Sequence, residues 1–238
     1  MAVRELGFRV EVVGDSTADW PSVTILVDGE DVIGRATGFR GFDPDDIFGR
    51  GAPLVPQDPP RRVAVYRCSC GEPGCGCAAC LITRDAALVR WTDFRDYTGV
   101  YARPLVDAEP DGGARQPVPD LEFDAVQYGE AVRRASEDRS WETRRRRRAR
   151  LLRSELVTAH SHFEALGYTI GWVAPEGDDE NGVQVELRVP NGQVVLRLDA
   201  DPDVSDEESA RKMAAWLLKT PERRWNVQHR NTWPSASR

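Results

Sequence analysis

Five thiols crowd into thirteen residues of this chain, in the run Cys68-Ser69-Cys70-Gly71-Glu72-Pro73-Gly74-Cys75-Gly76-Cys77-Ala78-Ala79-Cys80. Adjacent thiolates repel one another, and a bound cation relieves that repulsion, so metal and local fold form together. In a cytosolic chain, clustered cysteines point to metal before disulfides. Zinc takes four tetrahedral ligands and favours sulfur. Glycines at 71, 74 and 76 let the backbone tighten around an ion. The candidate ligands are Cys68, Cys70, Cys75, Cys77 and Cys80, with the first three joined by either of the last two. Only Cys77-Ala78-Ala79-Cys80 has the Cys-x-x-Cys form of the common zinc ribbons. The same residues also allow an iron–sulfur cluster or a metal-free thiol cluster. Four thiolates leave no position for water, which predicts a structural Zn2+.

Other constellations are weaker. Arg144 to Arg148 could meet phosphates, but five consecutive residues point all round a helix, so a solvated or self-neutralised segment is expected. His160 and His162 sit two apart, where helical metal pairs need three or four. His229 is isolated. Asp199, Asp201 and Asp203 mimic the start of a calcium loop, yet Val204 and Ala210 stand where its glycine and glutamate belong. Asp93 and Glu142 each lie near a tryptophan, with no spacing that pairs them. Phosphate-loop, dinucleotide and nucleophile-elbow signatures are absent from the sequence.

These residues need a scaffold. Phe8, Val10 and Val12 alternate as a strand, followed by Val23 to Val27, with Asp28-Gly29 turning the chain toward Val32-Ile33 as a hairpin. Asp43-Pro44-Asp45-Asp46 reads as a capped helix start. Val63 to Tyr66 leads as a strand into the cysteines; Leu81 to Thr83 and Leu88 to Trp91 follow as strands. Residues 107–120 hold three prolines and two glycines and read as a linker. Helical spacing begins at Leu121 and again at Leu152, the second run ending at Gly167. Asn191-Gly192 marks a hairpin, and Ser205 to Glu208 is a capping box. The expectation is an α+β protein: a strand-rich cysteine-knuckle region over 1–106, a linker over 107–120, and helices plus a β-hairpin over 121–238.

The charge is polarised. Of 238 residues, 32 are Lys or Arg and 39 Asp or Glu, a net of −7, which disfavours nucleic acid as a general partner. Residues 133–153 carry a local +7 and residues 176–208 a local −9. No apolar run can cross a membrane, and the N-terminus has no signal-peptide pattern, which predicts a cytoplasmic protein.

The segment Tyr66 to Gly76, with Val89-Arg90-Trp91-Thr92-Asp93-Phe94, resembles a group of uncharacterised high-GC bacterial proteins carrying Cys-x-Cys-Gly-x-x-Gly-Cys-Gly between strands. The resemblance spans about residues 40–145 and takes in Asp43 to Asp46 and Ser140 to Thr143. It implies a core of three cysteines, Cys68, Cys70 and Cys75, with Cys77 and Cys80 as additions, and implies no activity.

The functional expectation is a non-enzymatic zinc-knuckle binding or adaptor protein acting on another protein or on a second copy of itself. The alternatives are a metal- or thiol-dependent enzyme using Cys68, Cys70 and Cys75, and an RNA-binding module using Arg144 to Arg148.

Overall fold

The structure, a computed structural model, describes residues 2–12, 21–49, 51–70, 75–101, 103–106, 112–177 and 179–232. It is mixed α+β, with six helices and twelve strands in three antiparallel sheets among the described residues. Two compact units divide between Trp141 and Glu142.

In the first unit, β1 (Leu6–Val12) and β2 (Pro21–Val27) form an antiparallel ribbon. The chain continues through α1 (Val32–Thr37), β3 (Arg40–Gly41) and α2 (Pro44–Ile47) to β4 (Arg61–Arg67), β5 (Cys77–Asp85) and β6 (Leu88–Tyr97). Two short strands, β7 (Ala114–Arg115) and β8 (Leu121–Asp124), both pair with β6, and α3 (Ala125–Glu137) closes the unit. The large sheet runs β3-β4-β5-β6. Its central strands are covered on both faces: Arg62 to Tyr66 and Cys77 to Cys80 are all buried. Such strands read as continuous apolar runs because neither face meets water. Trp91 anchors the core against Phe123 and Tyr128, and its indole N–H donates to the Tyr128 hydroxyl at 3.2 Å. Burial of each large side chain of this kind contributes about 1.5–3 kcal/mol. At Gly41 an added Cβ would stand 1.6 Å from the Val23 carbonyl oxygen, so only glycine lets β3 approach β2 this closely.

The second unit contains α4 (Arg144–Thr158), α5 (His160–Ala165), the strands β9 (Thr169–Pro175), β10 (Gly182–Val189) and β11 (Gly192–Asp199), then α6 (Asp206–Lys219) and β12 (Val227–Thr232). Its sheet runs β12-β11-β10-β9. Leu152, Leu156 and Phe163 pack with Val185, Leu187, Leu196 and Leu217 in one core. Ser205 caps α6 by accepting from the Glu208 amide at 3.2 Å, as its position in the capping box predicts.

Several sequence expectations change. Val32-Ile33 does not return as a strand: the Asp31 carboxylate accepts from the Gly34 amide at 2.8 Å, and that cap opens α1. Leu121 to Asp124 is a strand, because Asp124 caps α3 and starts the helix at Ala125. The second helical run starts at Arg144 and breaks at Ala159 into α4 and α5. The hairpin loop is Pro190-Asn191, since Val189 pairs with Gly192. Residues 107–120 do not separate the units: β8 pairs with β6 and α3 packs on β1 and β6, so residues 121–141 complete the first unit. Gly71, Gly74 and residues 107–111 lie outside the described residues.

Candidate metal centre

The cysteine run becomes the connection of the β4–β5 hairpin. Arg67 and Cys77 are the last paired residues, and the Cys68 amide donates to the Gly76 carbonyl at 2.8 Å, closing the neck. Beyond that neck the sulfurs of Cys68, Cys70 and Cys75 all lie within 4.8 Å of one another. Cys68 is half-buried, while Cys70 and Cys75 are exposed. Three close thiols of this kind can hold a metal ion. Gly76 lies at the neck beside the Phe39 ring, which an added Cβ would meet at an ordinary contact distance of 3.4 Å.

Cys77 and Cys80 do not join that group. Both lie on β5, 1% and 0% exposed, inside the first unit's core. Burial pushes the Cys77 thiol up to about 12 and drives the Cys80 thiol higher still, so both stay protonated and behave as small apolar side chains. The sequence places them within twelve residues of Cys68, but the strand pairing turns them away from the loop.

The three clustered thiols influence one another. The Cys70 amide, followed by the Cys70 and Cys75 thiols, donates toward the Cys68 sulfur and lowers its pKa, with the Arg40 charge assisting. Cys75 is pushed up to about 11 by donating to Cys68 and Cys70 and by their negative charge. The thiols of Cys68 and Cys75 are thus shifted in opposite directions by the hydrogen bonds that they share.

Two arginines beside the loop were not singled out by the sequence. Arg40 on β3 and Arg67 on β4 are directly opposite in register. Burial, then Arg40, pulls Arg67 below its ordinary value, while Asp46, Asp43 and Cys70 act to raise it. The Arg67 guanidinium lies 5.8 Å from the Phe42 ring centre. The Nε atoms of both arginines are buried without a hydrogen-bond partner among the described residues. Like charges directly opposite on neighbouring strands are unfavourable, so this pair gains from any anion near it. Arg67 adjoins Cys68 in the sequence, but Arg40 is brought there by strand pairing alone.

The other candidate residues fall elsewhere. His160 and His162 are exposed on α5, and His229 lies on β12. Asp201 binds Lys212 at 2.9 Å and Asp199 binds Arg197 at 3.1 Å, as a charged strand exit rather than a calcium loop. Asp93 is held by Arg62 and Arg95, and Glu142 by Arg150. The arginine run is engaged within its own unit. Arg144 and Arg148 bind Asp206, Arg147 binds Glu207, and Arg145 donates to the carbonyls of Glu176 and Gly177.

No helix among the described residues is long and apolar enough to cross a membrane. No protein-family model matches the chain, and neither a curated protein nor a solved structure matches it.

Proposed function

We propose that this is a cytosolic, zinc-binding docking protein whose ion is held by the thiolates of Cys68, Cys70 and Cys75, with the fourth position taken by a ligand from outside these three. The observation that carries this reading is the convergence of the three sulfurs within 4.8 Å at one hairpin neck. Sulfurs around tetrahedral zinc, bonded at about 2.3 Å, lie about 3.8 Å apart, a separation that falls within the 4.8 Å bound on these three sulfurs. The Arg40–Arg67 pair supports the same reading. Three thiolates and one Zn2+ sum to a single negative charge, which those guanidiniums offset.

The docking role rests on exposure. The ligands Cys70 and Cys75 are open to solvent at the tip of a hairpin, whereas chemistry gains from a site that excludes water. Another protein, or a second copy of this chain, can reach the metal there. The ligand count favours one further reading, since three protein ligands and a water are how catalytic zinc is commonly held. On that reading the same three cysteines serve a metal-dependent enzyme.

The test is metal analysis of the reduced protein, with X-ray absorption at the zinc edge. About one zinc per chain with three sulfur neighbours and one lighter neighbour is expected. Protein free of metal after purification under reducing conditions, and unable to take up added Zn2+, would end the proposal. Four sulfur neighbours would return Cys77 or Cys80 to the ligand set.

A further inference from the structure

The geometry points to a peroxide-responsive thiol switch in the same loop, in which Cys75 forms a disulfide with Cys68 or Cys70 and thereby dismantles the metal site. It rests on the zinc reading for its consequence, release of the ion, and not for the disulfide itself.

A sensor thiol must be reachable by oxidant and must have a second thiol within reach to trap the sulfenic acid. Cys70 and Cys75 are exposed, and each has two sulfurs within 4.8 Å. Strand pairing holds the partners together: the Cys68 amide bonds to the carbonyl of Gly76, the residue next to Cys75. A Cys68–Cys70 bridge would close a ring over one intervening residue, where disulfide geometry is hard to reach without backbone movement. Cys75, on the returning arm, is therefore the common partner. Cys77 and Cys80 are shut into the core and do not take part.

The chemistry balances with a hydroperoxide as oxidant. One sulfur takes an oxygen atom from hydrogen peroxide, giving sulfenic acid and water. A second sulfur then attacks it: an S–S bond forms, the S–O bond breaks, and the hydroxyl leaves as water. Two thiols lose two electrons and two protons, and one peroxide becomes two waters; from metal-held thiolates the protons come from solvent. One cysteine of the three then remains, and a single thiolate does not retain zinc against water. In a reducing cytosol such a bond is transient, which suits a signal.

The test treats the zinc-loaded full chain, and in parallel the reduced metal-free chain, with hydrogen peroxide. Released zinc is read with a chromogenic chelator, and disulfides are mapped by mass spectrometry after trapping free thiols. The expected result is loss of one zinc per disulfide formed, every bridge containing Cys75, with Cys77 and Cys80 recovered as free thiols. Cys75→Ser should form no bridge, and circular dichroism checks that it folds. A bridge through Cys77 or Cys80, a Cys68–Cys70 bridge as the main product, or no disulfide in either sample would overturn the inference. If zinc never binds but the Cys75 bridge forms in the metal-free chain, the metal reading fails and the switch stands. If zinc binds and no bridge forms, the reverse holds.

Discussion

Cys68 and Gly76 face each other across the hairpin neck, amide to carbonyl at 2.8 Å, one step past the Arg67–Cys77 pair. That bond divides the cysteines into two kinds. Cys70 and Cys75 lie outside it, and their sulfurs and that of Cys68 are all within 4.8 Å of one another. Cys77 and Cys80 lie inside it on β5, whose first four residues are all buried.

The two kinds should respond differently to the same substitution. Cys70→Ser should abolish tight zinc binding while leaving the stability of the metal-free protein nearly unchanged, because the side chain is exposed. Cys80→Ser should keep the zinc but lower stability by about 1–3 kcal/mol, since it puts a hydroxyl into the core. Zinc titration and urea unfolding with and without chelator separate the outcomes. Equal zinc loss in both variants would count against the three-cysteine assignment.

Arg40→Gln and Arg67→Gln should each weaken zinc binding roughly tenfold, the low end of what residues supporting a metal site usually contribute. The loss should shrink as salt is raised, because half-buried charges are partly screened. Competition with a chelator of known affinity measures it. Unchanged affinity at low salt would mean that the two guanidiniums do not act on the metal.

Within the second unit, Arg148 is 2% exposed and binds Asp206 at 2.9 Å, joining α4 to the first turn of α6. Arg144 still pairs with Asp206 when Arg148 is removed, so the loss is that of a buried, charge-assisted hydrogen bond and its packing, and Arg148→Ala should cost about 1.5–3 kcal/mol. Arg147, half exposed against an equally exposed Glu207, should cost less than about 1 kcal/mol when changed to Ala. Denaturant midpoints of the two variants would show the contrast.

Acid should destabilise the protein through the same residue. Burial acts to raise the Asp206 carboxyl, but hydrogen bonds and charge from Arg144 and Arg148 outweigh it and hold it below 3.8. Asp93 is lowered likewise, chiefly by Arg95 and then by Arg62, against an opposing burial effect. A depressed folded pKa gives stability that is complete above the unfolded value and lost as pH falls through the folded one. Stability should therefore drop below about pH 4. Asp206→Asn should be less stable at neutral pH and lose less on acidification, which melting curves between pH 2 and 7 would reveal.

The arginine run should not track nucleic acid. Arg144, Arg147 and Arg148 already hold carboxylates, and Arg145 holds two carbonyls. A phosphate binder releases counterions, and its affinity falls linearly with the logarithm of salt. Titration with mixed single-stranded RNA should show no submicromolar binding at physiological salt. Tight binding lost when Arg144 to Arg148 become Gln would reverse this conclusion.

What the sequence determined by itself is local. Asp43 and Ser205 announce their helices because a cap is a contact between residues two or three apart, and 3.6- and 2-residue periods mark helices and strands wherever one face is buried. The thiol content likewise marks out a cysteine cluster that could hold a metal ion. Which sulfurs converge is not local: it depends on where β4 and β5 stop pairing, a choice made by the whole sheet. The same holds for Arg40, set beside Arg67 by register, and for Phe123 and Tyr128, which join 121–141 to the first unit through Trp91. Long-range pairing and burial decide these points because their free energy comes from surfaces that meet only after the chain has folded.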